Sequence, residues 1–401
     1  MIPNYSWKTI SGWSNHSGKV ISHKMKETEM GYRGSKSENL QTQSPKRVSV
    51  KEQRVDGSWF LAQQARNLRC TLMGGASYYQ INYPSKQFKF YFSTCFYQQS
   101  DKNVQLNPYW VTGFTDAEGT FTVVFDKVNT RKLNWRIQPK FQISLHVRDL
   151  PLLLKVQQFF GNIGSVSESE NMAFYSVSGV KDLVKTIIPH FLKYPLLTQK
   201  GADFILFKQI VNLMENKAHL TIEGINKIIN IKATMNLGLS ELLKSEFKDF
   251  ILSPLGERPI IQTEIISNPY WITGFVDGEG TFDIKIYSSK TNVGFAVQLR
   301  FRIPQHERDS KLIELLLKYF SSGSVEKHTK YPAVTLVITK FTAISDKIIP
   351  FFESFPLVGV KKNDYLDWCS VARLISNKAH LTQDGLILIR TIKSGMNTGR
   401  K

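Results

Sequence analysis

At 401 residues, 42% of them hydrophobic, the chain is too long for one ordinary compact domain and apolar enough to bury more than one core. Its formal net charge of +19 favours polyanions, nucleic acid before an anionic membrane surface, and it has no run of about 18 apolar residues that would span a bilayer. Cys70, Cys95 and Cys369 are too far apart for a zinc ribbon or a disulfide framework, which fits a reducing compartment.

The first hundred residues differ from the rest. Residues 1–100 carry 14 Lys and Arg against 5 Asp and Glu, nearly half of the whole surplus of positive charge. Ser11–Val55 is rich in Ser, Gln, Asn and Lys and lacks sustained apolar periodicity, so a basic, partly disordered N-terminal extension is expected. Trp59, Phe60, Phe88, Tyr91 and Phe92 are apolar enough to pack locally. Met1–Lys26 is basic and free of acids but has no arginine, a weak transit-peptide signal.

From about Asp101 the sequence repeats itself. PYWVTGFTDAEGTF at 108–121 returns as PYWITGFVDGEGTF at 269–282, identical at 11 of 14 positions with an offset of 161. The same offset carries Ile187-Ile188-Pro189 to Ile348-Ile349-Pro350, Lys200 to Lys361, and NKAHLT at 216–221 to NKAHLT at 377–382. In between it slips to 160, relating HVRD at 146–149 to HERD at 306–309. So long a period marks a duplicated domain and not a solenoid. The division expected is an extension over 1–100, a first domain over 101–238, a linker over 239–266 and a second domain over 267–401.

Each half reads as α+β. The motif segment is helical and stops at Gly119 or Gly280. Thr120–Asp126 and Thr281–Tyr287 follow as strands. Trp135–Leu145 alternates, with Ile137, Pro139, Phe141, Ile143 and Leu145 on one face and Arg136, Gln138, Lys140, Gln142 and Ser144 on the other. Its counterpart sets Phe295, Val297, Leu299, Phe301 and Ile303 against Gln298, Arg300 and Arg302, the pattern of a half-buried antiparallel strand. Pro139 predicts a bulge or an edge. Asp149–Phe160 and Asp309–Phe320 read as helices with Asp as N-cap, short strands follow near 163–178 and 323–338, and closing helices begin at Thr221 and Thr382.

The chemistry concentrates in the repeated helix. Tyr109, Gly113 and Ala117 share one stripe, as do Tyr270, Gly274 and Gly278, and each stripe shrinks towards its C-terminal end. Two such helices can approach backbone to backbone, which would bring Glu118 and Glu279 together. Paired carboxylates repel unless a cation accompanies them, and these two already sit at the negative ends of their helix dipoles, where an acid is otherwise disfavoured. Oxygen ligands select a hard divalent ion, Mg²⁺ first. Asp116 and Asp277 point elsewhere and read as structural. His219 and His380 have no convergent partners and read as structural too.

WVTGFTDAEG and WITGFVDGEG resemble the repeated motif of LAGLIDADG homing endonucleases, in the single-chain branch that carries it twice. The resemblance covers residues 105–400, including PLLTQKGADF at 195–204, PLVGVKKNDY at 356–365 and both NKAHLT segments. It implies tandem pseudosymmetric αββαββα domains whose two antiparallel sheets bind DNA. It implies metal at Glu118 and Glu279 with the carbonyls of Ala117 and Gly278, and active-site roles for Lys200 and Lys361. It also assigns Gln142 and its unlike counterpart Arg302 to the water network. The polar strand faces, Arg136, Gln138, Lys140, Gln142, Lys285, Gln298, Arg300 and Arg302, carry donors suited to base edges and phosphates, with few acids among them.

Three functions compete. The leading expectation is Mg²⁺-dependent cleavage of a long asymmetric duplex DNA by a monomer. The second is a maturase that binds the RNA of its host intron. The third is a DNA-binding regulator with an inert site. GYRGSKSENL and VKEQRVDG in the head resemble the upstream part of fungal mitochondrial intron reading frames, which implies a mitochondrial location.

Overall fold

The computed structural model describes residues 105–251 and 256–400. The basic head over 1–100, with Cys70 and Cys95, lies outside them. Among the described residues no helix is long and apolar enough to cross a membrane.

Each half opens with a motif helix, Pro108–Glu118 and Pro269–Glu279. Asn107 and Asn268 start these helices by accepting the backbone N–H of Tyr109 and Tyr270, and proline sits in the first turn, where a missing N–H costs nothing. Both helices stop at the expected glycine, but not through a left-handed turn: φ is −77° at Gly119 and −67° at Gly280. Glycine is required there by crowding. A Cβ would lie 2.5 Å from Thr115 Cγ2 at Gly119 and 2.4 Å from Val276 Cγ1 at Gly280.

The strands form two four-stranded antiparallel sheets. In the first, β1 (Gly119–Lys127), β2 (Trp135–His146), β3 (Ser165–Ser169) and β4 (Met172–Val177) lie in the order β1-β2-β4-β3. In the second, β5 (Thr281–Ser288), β6 (Phe295–His306), β7 (Ser324–Lys327) and β8 (Ala333–Ile338) repeat that order. This is the duplicated α+β architecture that the repeat implies. The alternation holds, with Ile137, Phe141 and Ile143 buried in β2 and Leu299, Phe301 and Ile303 buried in β6. Pro139 causes no bulge. It pairs in unbroken register with Val123, on the stretch of β2 that β4 does not reach, so no ladder bond is lost.

Helices Leu150–Phe159 and Ser310–Phe320 follow β2 and β6, but Asp149 and Asp309 do not cap them. His146 and His306 take that place one turn earlier, accepting the N–H of Arg148 and Arg308. The aspartates are turned towards the opposite half, as described below. Further on, each half contains a π turn, Leu183–Ile187 and Ile344–Ile348, directly before its repeated Ile-Pro. A proline inside a helix has no N–H to donate and collides with the preceding turn, and a widened turn relieves both. Long helices Lys200–Glu215 and Lys361–Ser376 come next. The closing helices Ile222–Ala233 and Gln383–Ser394 then start as expected at Thr221 and Thr382, whose hydroxyls accept the N–H of Gly224 and Gly385 at 3.1 Å.

Each half has its own apolar core, and the motif helices stitch the two together. Ala117 belongs to the second core, while Tyr270 packs on the first. The joining segment is not a bare linker: it contains helix Glu241–Glu246 and buries Leu239, Leu243 and Phe247 against the first core.

One core position separates the halves by charge. His190 stands where the second half has Phe351, with its ring among Phe159, Phe160, Phe191 and Tyr194 and its Nε2 3.2 Å from Thr112 Oγ1. Burial lowers its pKa from the usual 6.5 to about 4. The unfolded chain therefore binds a proton that the fold refuses, and stability falls as pH drops from 6.5 towards 4. This term should remove about 2 kcal/mol between pH 7 and pH 5. His190→Phe, copying the second half, should flatten that slope in urea unfolding at the two pH values; an unchanged slope would exclude His190 as its source.

Candidate active site between the motif helices

The two motif helices cross at their glycines. A Cβ on Gly113 would lie 2.0 Å from the carbonyl oxygen of Trp271, and one on Gly274 would lie 2.0 Å from that of Trp110. The backbones therefore touch, and only residues without a side chain permit it. Nearer the C-terminal ends, a Cβ on Gly278 would lie 2.3 Å from the Cβ of Ala117. The same atom would lie 3.1 Å from Glu118 Cγ and 3.4 Å from Glu118 Oε1. The missing side chain at 278 thus lets the second helix close onto Ala117 beside the Glu118 side chain. Glu118 and Glu279 end their helices, each half-buried.

Asp116 and Asp277 bind the crossing from both sides. Asp116 accepts the indole N–H of Trp271 at 2.8 Å, and Asp277 accepts that of Trp110 at 2.8 Å. Asp116 also takes the N–H groups of Leu197 and Thr198 and the Thr198 hydroxyl, while Asp277 takes the N–H groups of Val358 and Gly359. Burial raises both carboxyl groups to about 6, and the donors around them oppose the rise. Every partner is a donor, so both remain carboxylates at neutral pH. Asp116 and Asp277 are thus structural, as their angular offset from the glutamates implies, and join the opposite motif helix to the loops that follow. The reciprocal tryptophans, Trp110 and Trp271, were legible only as a pair recurring at offset 161.

The loops that Asp116 and Asp277 hold lead straight into Lys200 and Lys361. Lys200 Nζ donates to the carbonyls of Thr115 at 3.0 Å and Ala117 at 3.2 Å. Lys361 Nζ donates to those of Val276 at 3.0 Å and Gly278 at 2.6 Å. Each loop is also pinned from the other half: Asp309 accepts the N–H of Gln199 at 2.7 Å, and Asp149 accepts that of Val360. Burial lowers the pKa of Lys361, opposed by the charges of Asp277, Glu118, Glu279 and Asp149. Its ammonium therefore feels the last carboxylate of both motif helices.

Ala117, Glu118, Lys200, Gly278, Glu279 and Lys361 thus converge. Gln142 and Arg302 lie beside them, opposite Thr120 on β1 and Thr281 on β5. They differ in setting. Gln142 is buried and donates to Ser144 Oγ at 2.7 Å. Arg302 keeps a buried Nε without a protein partner and has Nη2 3.8 Å from Asp283.

The other strand residues run outward in register: Lys140 opposite Thr122, Gln138 opposite Val124, Arg136 opposite Asp126, then Arg300 opposite Asp283 and Gln298 opposite Lys285. The face is less free of acids than its sequence implies. Asp126 binds Arg136 Nε at 2.9 Å, and the buried Asp283 binds Arg300 Nε at 2.6 Å. The neutral counterpart of Asp283 in the first half is Thr122. His219 and His380 hydrogen-bond to backbone at Met214 and Leu374.

Among the described residues no three His, Cys, Asp or Glu side chains gather as metal ligands. The oxygen set that does converge, two carboxylates with the Ala117 and Gly278 carbonyls, has the hard donors that suit a divalent ion such as Mg²⁺.

The chain matches the LAGLIDADG endonuclease family over residues 111–211 and again over 272–372. It is 47% identical over 403 residues to probable intron-encoded endonuclease 3 of Neurospora crassa, covering 96% of this chain and 73% of that protein. Among solved structures it is similar to the LAGLIDADG homing endonuclease I-SmaMI bound to cleaved DNA, with a TM-score of 0.72 and 41% identity over 75% of this chain and 99% of that one. I-SmaMI bound to its uncleaved DNA target in the presence of calcium ions gives a TM-score of 0.71 at 41% identity, over 73% and 99% of the two chains.

Proposed function

The chain belongs to the LAGLIDADG endonuclease family, and on that premise we propose that it is a homing-type endonuclease that cuts both strands of a long, asymmetric DNA duplex. The observation that carries this reading is the glycine crossing, which sets Glu118 and Glu279 at one end of one helix interface. We assign these two carboxylates, with the carbonyl oxygens of Ala117 and Gly278, to hold divalent metal, Mg²⁺ by the hardness of the donors. The ion, when bound, lowers the pKa of a coordinated water and offsets charge on the scissile phosphate. I-SmaMI bound to its uncleaved target in the presence of calcium ions supports the choice of a divalent ion.

The remaining roles belong to the chain itself. Lys200 and Lys361 are held by their carbonyl bonds beside the reacting centre, where an ammonium stabilises charge growing on phosphoryl oxygens. Gln142 and Arg302 orient the attacking water in the two halves, one as a neutral amide, the other as a cation tempered by Asp283. The two strands are therefore cut in unlike surroundings. Gln138, Lys140, Lys285 and Gln298 reach base edges, with Arg136 and Arg300 presented by their aspartates. From Gln142 to Arg136 the first ladder spans roughly 20 Å at about 3.4 Å per residue, enough for roughly six base pairs, and from Arg302 to Gln298 the second spans roughly 14 Å, enough for roughly four. Both halves lie in one chain, so a monomer suffices.

The intron-encoded relative favours one second reading, a maturase acting on host intron RNA in a mitochondrion. Splicing assistance would need neither glutamate and would persist when they are replaced. The test of the main reading is selection from a randomised duplex library in Mg²⁺. One asymmetric sequence should be cut on both strands, and chelation should stop it. Recovery of bound but uncut sequences alone would overturn the reading.

A further inference from the structure

The halves differ at one place where their registers match. In the first, the chain leaving the closing helix continues into helix Glu241–Glu246 and the turn Lys248–Phe250. That segment lies over the outer ends of β1 and β2: Phe247 is 5.4 Å from the Trp135 ring, and Glu246 pairs with Lys127 at 2.8 Å. The carbonyl of Phe250 accepts from Asn230 at 2.9 Å. Lys232, on the closing helix of this half, is only 8% exposed.

In the second half the outer ends of β5 and β6 border an open groove of about 510 Å³, lined by Ile286, Phe295, Arg390, Lys393 and Met396. The correspondence is close. Phe295 faces Ser288 as Trp135 faces Lys127, and Asn397 donates to the Phe282 carbonyl as Asn236 donates to that of Phe121. Lys393 holds the position of Lys232 yet is exposed. Arg390, where the first half has Ile229, lies 4.5 Å over the Phe295 ring and is itself exposed. Among the described residues no helix seats in this groove.

We propose that the groove docks an acidic amphipathic helix from a partner polypeptide, built like residues 239–251. Two apolar side chains four apart, in the places of Leu243 and Phe247, meet Ile286, Phe295 and Met396. Carboxylates on the flanking turn meet Arg390 and Lys393, whose charge an apolar-only occupant would leave uncompensated. The first half supplies the precedent for the apolar contact, and the change from Ile229 to Arg390 supplies the preference for acid. Ile286 packs on the second core, and strand alternation puts both it and Phe295 on the opposite face of the sheet from Lys285 and Gln298, so docking leaves the polar strand face clear.

The probe is a fluorescent synthetic peptide with the sequence of residues 239–251, titrated by anisotropy against the whole chain. Saturable binding is expected. It should weaken at least about tenfold when the peptide carries Leu243→Ser and Phe247→Ser, or when the protein carries Arg390→Glu and Lys393→Glu, both at exposed positions. A photo-reactive benzoylphenylalanine in the Phe247 place should cross-link to Ile286, Phe295 or Met396. Absence of saturable binding, equal binding by the variants, or cross-links confined to the Trp135 region would overturn the proposal.

Discussion

Glu118→Gln or Glu279→Gln should each lower double-strand cleavage by about 10³-fold while leaving duplex binding within about threefold, because an amide keeps the shape but neither charge nor hard-ligand strength. The carboxylates stand at the negative ends of the two motif helices, with the Lys361 ammonium within the field of both. Removing one charge should also leave the strands unequally affected, since Gln142 serves one half and Arg302 with Asp283 the other. The measurement is single-turnover cleavage of a nicked and an intact target, with binding followed separately by gel shift. Full cutting by either variant would remove the glutamates from the metal-holding role, and loss of binding together with cutting would make them structural.

Gly113→Ala is expected to cost at least about 3 kcal/mol, and Gly113→Val more, because neither backbone at the crossing can yield. A Cβ at 113 meets the Trp271 carbonyl at 2.0 Å, and one at 274 meets the Trp110 carbonyl at 2.0 Å. Moving the helices apart would also pull Trp110 from Asp277 and Trp271 from Asp116, leaving two buried carboxylates short of a donor. Denaturant unfolding checks this directly, and Gly274→Ala should behave alike. A loss under about 0.5 kcal/mol in either variant would mean that the helices do not cross at these glycines.

Much of the fold was legible because duplication repeats its signals. Period-two alternation in β2 and β6, the glycine that ends each motif helix and the Thr221 and Thr382 caps are local effects. A local pattern reports them without knowledge of the rest of the chain. The errors were of another kind. Asp149 and Asp309 look like N-caps by position, yet their carboxylates cross to the opposite half, Asp149 to the Val360 N–H and Asp309 to that of Gln199. The polar face reads as poor in acids because cross-strand pairing, not sequence neighbourhood, puts Asp283 and Asp126 beside Arg300 and Arg136.

Glu118 and Glu279 were singled out from the sequence as two acids where the helix dipole opposes acid, each behind a stripe that shrinks to Ala117 or Gly278. That much the sequence determined by itself, since residue type and helical spacing settle which face is smooth and what ends it. The tertiary structure decided how the faces meet: with backbones in contact at Gly113 and Gly274, with tryptophans exchanged between Asp116 and Asp277, and with Lys200 and Lys361 folded back onto the carbonyls beside each glutamate. These are contacts between residues 80 to 170 positions apart. They depend on how two cores pack against one shared interface, and no local pattern carries that information.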